Sequence, residues 1–150
     1  MFRQVIKYLV FYFSAKTKYS IHSPFVFAFI EEILENKSSY YSFLAIEHVR
    51  NSLKNNSSEI TVKDLGAGSK KFKTEKRKIA TIAKTSLQEK EMAQLLFRLI
   101  NYYQLSSSIV ELGTSLGITT AYLSKAKKSN KIYTIEGADE IANVANSVFQ

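Results

Sequence analysis

Residues 108–136 read SIVELGTSLGITTAYLSKAKKSNKIYTIE, and this stretch decides the fold class of the 150-residue chain. Two runs rich in β-branched residues, 108–112 and 131–136, flank a glycine turn and a stretch of helical periodicity over 118–127. Strand, turn, helix and strand in this order predict two parallel strands joined by a right-handed crossover. A further helix over 139–149 completes a βαβα unit, so we expect an α/β fold.

The glycine turn, residues 113–117, follows the first strand and precedes the helix, which is where open α/β sheets bind their ligands. Backbone N–H groups and a helix N-terminus face the ligand there. Glycine occupies only the first and fifth positions of this turn. The dinucleotide fingerprint needs Gly-x-Gly-x-x-Gly and the phosphate-binding loop needs Gly-Lys-Ser/Thr, so the turn favours neither a nicotinamide nor a nucleoside triphosphate.

Both strands carry a carboxylate near their carboxyl ends, Glu111 in the first and Glu136, 25 positions later, in the second. A carboxylate accepts hydrogen bonds from two hydroxyl groups at once, and such charge-assisted bonds are the stronger kind. A carboxylate at the end of either strand thus has the chemistry to bind a pair of ligand hydroxyls. The alternative is that both acids merely end their strands and the glycines merely make a turn.

Residues 111–120, ELGTSLGITT, resemble the first motif of class I S-adenosylmethionine-dependent methyltransferases, closest to the catechol and caffeoyl-coenzyme A O-methyltransferases. With IHSPFVF at residues 21–27, the whole chain is similar to bacterial class I methyltransferases. The resemblance implies a Rossmann-like domain that binds S-adenosylmethionine and transfers its methyl group to an unidentified acceptor. Because the nearest resemblance is to O-methyltransferases, the implied methyl-accepting atom is an oxygen.

The resemblance also implies roles for individual residues. Glu136 accepts the ribose hydroxyls of the cofactor, Glu111 faces its ammonium group directly or through water, and Gly113 admits it against bare backbone. Thr114, Ser115 and Thr119 supply N–H or hydroxyl contacts. The implied cofactor-binding residues are Glu111, Gly113, Thr114, Ser115, Gly117, Thr119 and Glu136.

A second turn, DLGAGS at residues 64–69, also resembles a first methyltransferase motif. After it, a basic helix is predicted over about 75–84, and a Ser86–Glu89 capping box predicts another helix to about Tyr103. The apolar stripe of that helix is Leu95, Leu96, Leu99, Ile100 and Tyr103. Because no strand ending in an acid follows the turn, we interpret it as a loop beside the cofactor or an entrance lid, with a plain connector as the alternative.

The region 1–58 is predicted to be a helical layer ahead of the cofactor-binding region, 59–150. Its helices cover about 2–13, 24–35 and 42–54, with Ser23 as N-cap and Pro24 at the first helical position. Its aromatic residues either line a substrate pocket or, the favoured interpretation, pack the layer onto its neighbour. His22 is a weak candidate general base, since beside a helix cap it more often has a structural role.

Composition limits the remaining classes of function. No cysteine is present, which excludes disulfides, thiolate zinc sites and cysteine nucleophiles. No signal peptide or apolar run of about 20 residues is evident, so we expect a cytoplasmic protein without a membrane span. Residues 63–90 carry nine basic and three acidic residues, +6 of the net charge of +8. A solvated face is the favoured interpretation; a nucleic-acid-binding domain and a non-enzymatic nucleotide-binding or interaction module are the alternatives.

The methyltransferase sheet normally has seven strands, of which two are evident here. In the O-methyltransferase relatives the base and the metal ligands lie on later strands, so no catalytic or metal-binding residue is assigned. The chain alone is therefore expected to be incomplete at its C-terminus, marginally folded and inactive, with uncovered residues such as Ile132 and Ile135. Self-association into a homo-oligomer is one way to cover a sheet edge.

Overall fold

The computed structural model describes residues 2–15, 17–63, 75–103 and 108–149. Contacts between residues divide the chain into two compact units, Met1–Lys37 and Ser38–Gln150. This division differs from the boundary predicted after residue 58, because helix α3, Tyr41–Asn55, packs against two helices of the second unit.

The first unit is helical throughout its described elements. Helix α1, Phe2–Ser14, precedes a 3₁₀ turn at Lys18–Ser20, and helix α2, Pro24–Phe29, continues as a π-helical turn, Ile30–Leu34. The predicted cap is confirmed, since the Ser23 hydroxyl accepts the backbone N–H of Val26 at 3.4 Å. The Lys18 ammonium donates to Glu35 at 2.7 Å and to Glu31 at 3.2 Å, and these carboxylates raise its pKa.

The second unit is a mixed α/β structure. Its helices after α3 are α4, Ile79–Ser86, α5, Lys90–Tyr102, α6, Ile118–Ala126, and α7, Asp139–Val148. Helix α6 packs against α3 and α5. At this junction the rings of Phe43, Phe97 and Tyr122 meet at centroid distances of 4.9–5.2 Å in edge-to-face arrangements. Packing rather than a substrate pocket is thus the role of Phe43, which is buried.

The βαβα unit forms as predicted. Strand β3, Ser108–Leu112, pairs in parallel with β4, Lys131–Ile135, and Glu111 lies opposite Thr134 in the register. Along both strands, exposed residues alternate with half-buried ones. The half-buried Ile109 and Ile132 pack against the core, and Glu111 and Thr134 lie on that same face.

The basic helix predicted over 75–84 is wrong at its beginning. Residues Lys76–Lys78 form strand β2, antiparallel to β1, Glu59–Thr61, with Ile60 opposite Arg77. The ladder is extended where Val62 N–H donates to the Glu75 carbonyl at 2.8 Å. Backbone pairing with a distant segment thus outweighs the local helical preference, and the helix begins at Ile79. A strand therefore does follow residues 64–69, but it is antiparallel and ends in lysine.

The capping box predicted at Ser86 is also wrong. Ser86 is the last residue of α4, and α5 begins only at Lys90 with no side-chain cap. The predicted apolar stripe is only partly correct, because α5 buries Ala93, Phe97 and Ile100 while Leu95, Leu96 and Leu99 are half-buried. Contact with α6 selects this face, whereas periodicity alone placed the buried face too far around the helix, toward Leu95 and Leu99.

Candidate cofactor-binding site

The glycine turn joins the end of β3 to α6 and is anchored to the end of β4. The Ile135 carbonyl accepts the N–H groups of Gly113 at 2.8 Å and Thr114 at 3.2 Å. Gly113, Ser115 and Gly117 have φ angles of +89°, +50° and +80°. This left-handed region costs glycine little, but a serine adopts it rarely and only where the surroundings hold it. The conformation of Ser115 therefore needs a specific partner.

That partner is Glu136, one residue beyond β4. Its Oε2 accepts the Ser115 N–H at 2.8 Å, and its Oε1 accepts the Ala138 N–H at 3.1 Å. The carboxylate thus links the carboxyl end of β4 to the turn that follows β3. An ionised carboxylate has about four acceptor positions, so two remain for a ligand.

Glu111 lies at the centre of a second set of hydrogen bonds. Its Oε2 accepts the hydroxyl of Thr120 in a short hydrogen bond and that of Thr134 at 2.8 Å. A hydroxyl has one proton to donate. Thr134 therefore accepts from Thr114, whose hydroxyl lies 2.6 Å away. The network joins the turn, α6 and β4 through one carboxylate, and among the described residues Oε1 of Glu111 has no partner.

Two cavities next to the glycine turn share one lining residue, Thr114. The first, about 190 Å³, lies between the turn and the α4–α5 connection, and the second, about 300 Å³, lies between the end of β4 and α7. The first is lined by Ser86, Leu87, Gln88, Leu96, Glu111, Leu112, Gly113, Thr114, Ser115 and Thr119. The second is lined by Thr114, Thr134, Ile135, Glu136, Ala142, Ala145, Asn146 and Phe149.

The structure brings six of the seven predicted site residues to these cavities. Gly117 lines neither: a Cβ added there would lie 2.7 Å from the Phe149 ring and 3.3 Å from Ala145, so the glycine permits close packing of the turn on α7. Gly113 differs, since a Cβ there would have no atom within 4 Å. Both donors of Thr114, its N–H and its hydroxyl, are engaged within the protein.

Residues of the α4–α5 connection are the part of the site that the sequence did not indicate. Ser86, Leu87 and Gln88 face the glycine turn across the first cavity. The connection is held from behind by Arg50, 3 % exposed, whose Nη1 donates to the Gln88 carbonyl at 2.7 Å. Apart from the capping box wrongly predicted at Ser86, no motif marks these residues, because the packing of α5 on α6 and the bond from Arg50 are what bring them to the turn.

Behind this connection, Arg50 is positioned by a buried polar cluster. Glu47 Oε1 accepts Arg50 Nε at 2.9 Å and the Tyr122 hydroxyl at 2.8 Å. Burial raises the pKa of Tyr122 to about 12. The tyrosine is therefore a neutral donor at physiological pH, and the cluster fixes α3 against α6.

Two further predictions of function concern residues 64–69 and His22. Residues 64–69 lie outside the described part of the chain, so their interpretation as a loop or lid stays a prediction. His22 is exposed and belongs to the first unit.

Comparison with protein-family models, with curated proteins and with solved structures found no match. Among the described residues, no helix has the length and apolar character needed to cross a membrane.

Proposed function

We propose that the second unit is the cofactor-binding part of a Rossmann-like, S-adenosylmethionine-dependent methyltransferase. The observation that carries the proposal is the position of Glu136, whose carboxylate lies between two parallel strand ends and beside a glycine turn. Ligands of open α/β sheets bind at this edge. Of residues 111–120, which resemble the first methyltransferase motif, six line the first cavity, and one of these, Thr114, also lines the second cavity beside Glu136.

The groups available in the crevice suit this cofactor. Gly113 leaves open space where any other residue would place a Cβ. The Ser115 hydroxyl is buried and has no hydrogen-bond partner among the described residues, so it is a donor and acceptor for a polar ligand. Each cavity is small beside typical cofactor pockets, but the two share Thr114 and flank the turn on both sides.

In this proposal the residues of the chain bind the cofactor and orient it. Glu136 accepts the two ribose hydroxyls with the acceptor positions that Ser115 and Ala138 leave open. Glu111, fixed by Thr120 and Thr134, presents its second oxygen to the ammonium group in the first cavity. The bound cofactor supplies a sulfonium methyl group for direct displacement, where catalysis is mostly alignment of the nucleophile with the methyl carbon.

Titration calorimetry of the chain with S-adenosylmethionine, S-adenosylhomocysteine and NAD tests the proposal. We expect both sulfur ligands to bind and NAD to bind more weakly. The diagnostic variant is Glu136→Gln, which keeps one acceptor oxygen for the turn but removes the charge. It should weaken binding by about 1.5–3 kcal/mol, the range for hydrogen bonds to a charged group. Glu136→Ala is less suitable, because it leaves the N–H groups of Ser115 and Ala138 without their acceptor.

The matched control is Glu140→Gln, the same chemical change in the first turn of α7 and outside both cavities. It should bind both sulfur ligands as the unaltered chain does. Tighter binding of NAD, or equal affinity of the Glu136 and Glu140 variants, would contradict the proposal. Binding of oligonucleotides with steep salt dependence, in the absence of cofactor binding, would favour the basic segment as a nucleic-acid site instead.

A further inference from the structure

Helix α1 exposes its apolar side chains to an unusual degree. None of its residues is buried. Nine large apolar or aromatic side chains are between 46 and 82 % exposed: Phe2, Val5, Ile6, Tyr8, Leu9, Val10, Phe11, Tyr12 and Phe13. Scattered exposed apolar residues are normal in proteins, but a continuous patch of this kind marks an interaction surface.

The exposed side chains of α1 form one broad face. At about 100° per residue, all of them except Phe11 fall on an arc of about 200° centred on Leu9. The opposite arc holds the polar residues Arg3, Gln4, Lys7 and Ser14. Such a helix has a charged face and an aromatic face, which is the pattern of helices that lie in a membrane interface.

Residues 1–30, which include this helix, carry formal charges of one sign: they contain four basic residues and no acidic one, and the first acid is Glu31. Among the described residues of this segment, Lys18 is paired with Glu31 and Glu35, so the other positive charges, Arg3 and Lys7, lie on α1 itself. This charge is complementary to a surface of anionic lipid headgroups.

We propose that α1 binds the surface of an anionic phospholipid bilayer, with the Leu9-centred face in the acyl boundary and Arg3 and Lys7 among the headgroups. At about 1.5 Å per residue its 13 residues extend about 20 Å, too short to span a bilayer but sufficient to lie along one. Tyr8 and Tyr12, stacked at 6.4 Å on one border of the face, provide rings suited to the headgroup level.

A bilayer fits this surface better than a second copy of the helix does. A helix pair buries a narrow seam of positions. The apolar face of α1 is about twice as wide as the minimum stripe of a core-facing helix. Pairing would therefore leave much of this face in water.

Partition of the intact chain onto sedimented vesicles tests the proposal. We expect binding to vesicles of equal parts phosphatidylcholine and phosphatidylserine, and much weaker binding to phosphatidylcholine alone. Leu9→Asp should weaken binding at least about tenfold relative to Gln4→Asp, because both variants add one negative charge but only the first places it in the apolar face. Arg3→Gln with Lys7→Gln should weaken binding to the anionic vesicles by about fivefold per residue.

A site-specific probe adds a second readout, because the chain contains no cysteine. An environment-sensitive dye on Phe13→Cys should shift to the blue with anionic vesicles, whereas the same dye on Ser14→Cys, on the polar arc, should not. Unchanged thermal unfolding of each variant confirms that the fold is intact. The proposal is overturned if no vesicle binds, if Leu9→Asp and Gln4→Asp bind equally, or if Leu9→Asp abolishes self-association of a chain that never binds vesicles.

Discussion

The two faces of the β3–β4 sheet differ in both chemistry and cover. On the covered face, Ile109 and Ile132 pack against the core, and Glu111 and Thr134 form a hydrogen-bonded network toward the carboxyl ends of the strands. On the open face, Val110, Leu112, Tyr133 and Ile135 are 54–80 % exposed. Glu111 and Thr134 therefore lie on the protected side, while four large apolar side chains lie on the side exposed to solvent.

The difference between the covered and the open face indicates which contacts stabilise the sheet. Parallel strands are usually covered on both faces. Among the described residues, the packing contacts lie on one face, while the open face offers an apolar patch for interaction. The expectation that Ile135 lacks cover is confirmed, and the same expectation for Ile132 is wrong, because Ile132 faces inward to the core.

The comparison is tested most strongly by removing a buried side chain on the covered side. Ile118 is fully buried at the start of α6. The substitution Ile118→Ala is expected to lower the free energy of unfolding by about 2–5 kcal/mol. Urea denaturation measures the loss. A cost below about 1 kcal/mol would show that the covered side is not the stabilising one.

Titration of Tyr122 gives a pH-dependent test of the same side. Its pKa is raised from 10 to about 12 in the folded chain. The contribution of the neutral Tyr122 hydroxyl to the free energy of unfolding is fully present below pH 10 and is lost as the pH rises through 12. The free energy of unfolding should therefore decrease by about 2–3 kcal/mol over this range. Because other groups titrate in this range, the quantity to measure is the difference between the unaltered chain and Tyr122→Phe. Parallel pH profiles of the two would contradict the assignment.

The polar network on the covered face should contribute less than the core does. Thr134→Val keeps the shape of the side chain, but it removes one donor to Glu111 and the acceptor of Thr114. We expect a loss of about 1–3 kcal/mol by thermal or urea unfolding. Thr119→Val, half-buried and outside the network, is the matched control and should be close to neutral.

The smallest effect is expected on the open face. Leu112→Ala, at a site 80 % exposed, should change the unfolding free energy by no more than about 0.5 kcal/mol. The same measurement decides whether the open face is covered in solution. A loss of about 2 kcal/mol or more, dependent on protein concentration, would show that association buries this face.

Elements whose signals are local could be predicted from the amino-acid sequence. The bounds of β3, α6, β4 and α7 were predicted to within one residue, because each element has its own periodicity and the glycine turn separates two of them. Helix α1 and the Ser23 cap follow the same rule. The seven residues of the candidate site were predicted from the resemblance to the first methyltransferase motif and the acid that follows it, and six of them line the two cavities.

Features that depend on distant partners could not be predicted before the folded chain was seen. Strand β2 exists because β1 supplies its hydrogen bonds, the buried face of α5 is selected by α6, and Ser86–Gln88 reach the glycine turn because Arg50 on α3 holds their connection. The link from Glu136 to Ser115 is of the same kind. Sequence periodicity reports which residues are apolar at what spacing, whereas pairing between segments far apart in the chain depends on which backbone and side-chain groups the fold leaves to be satisfied.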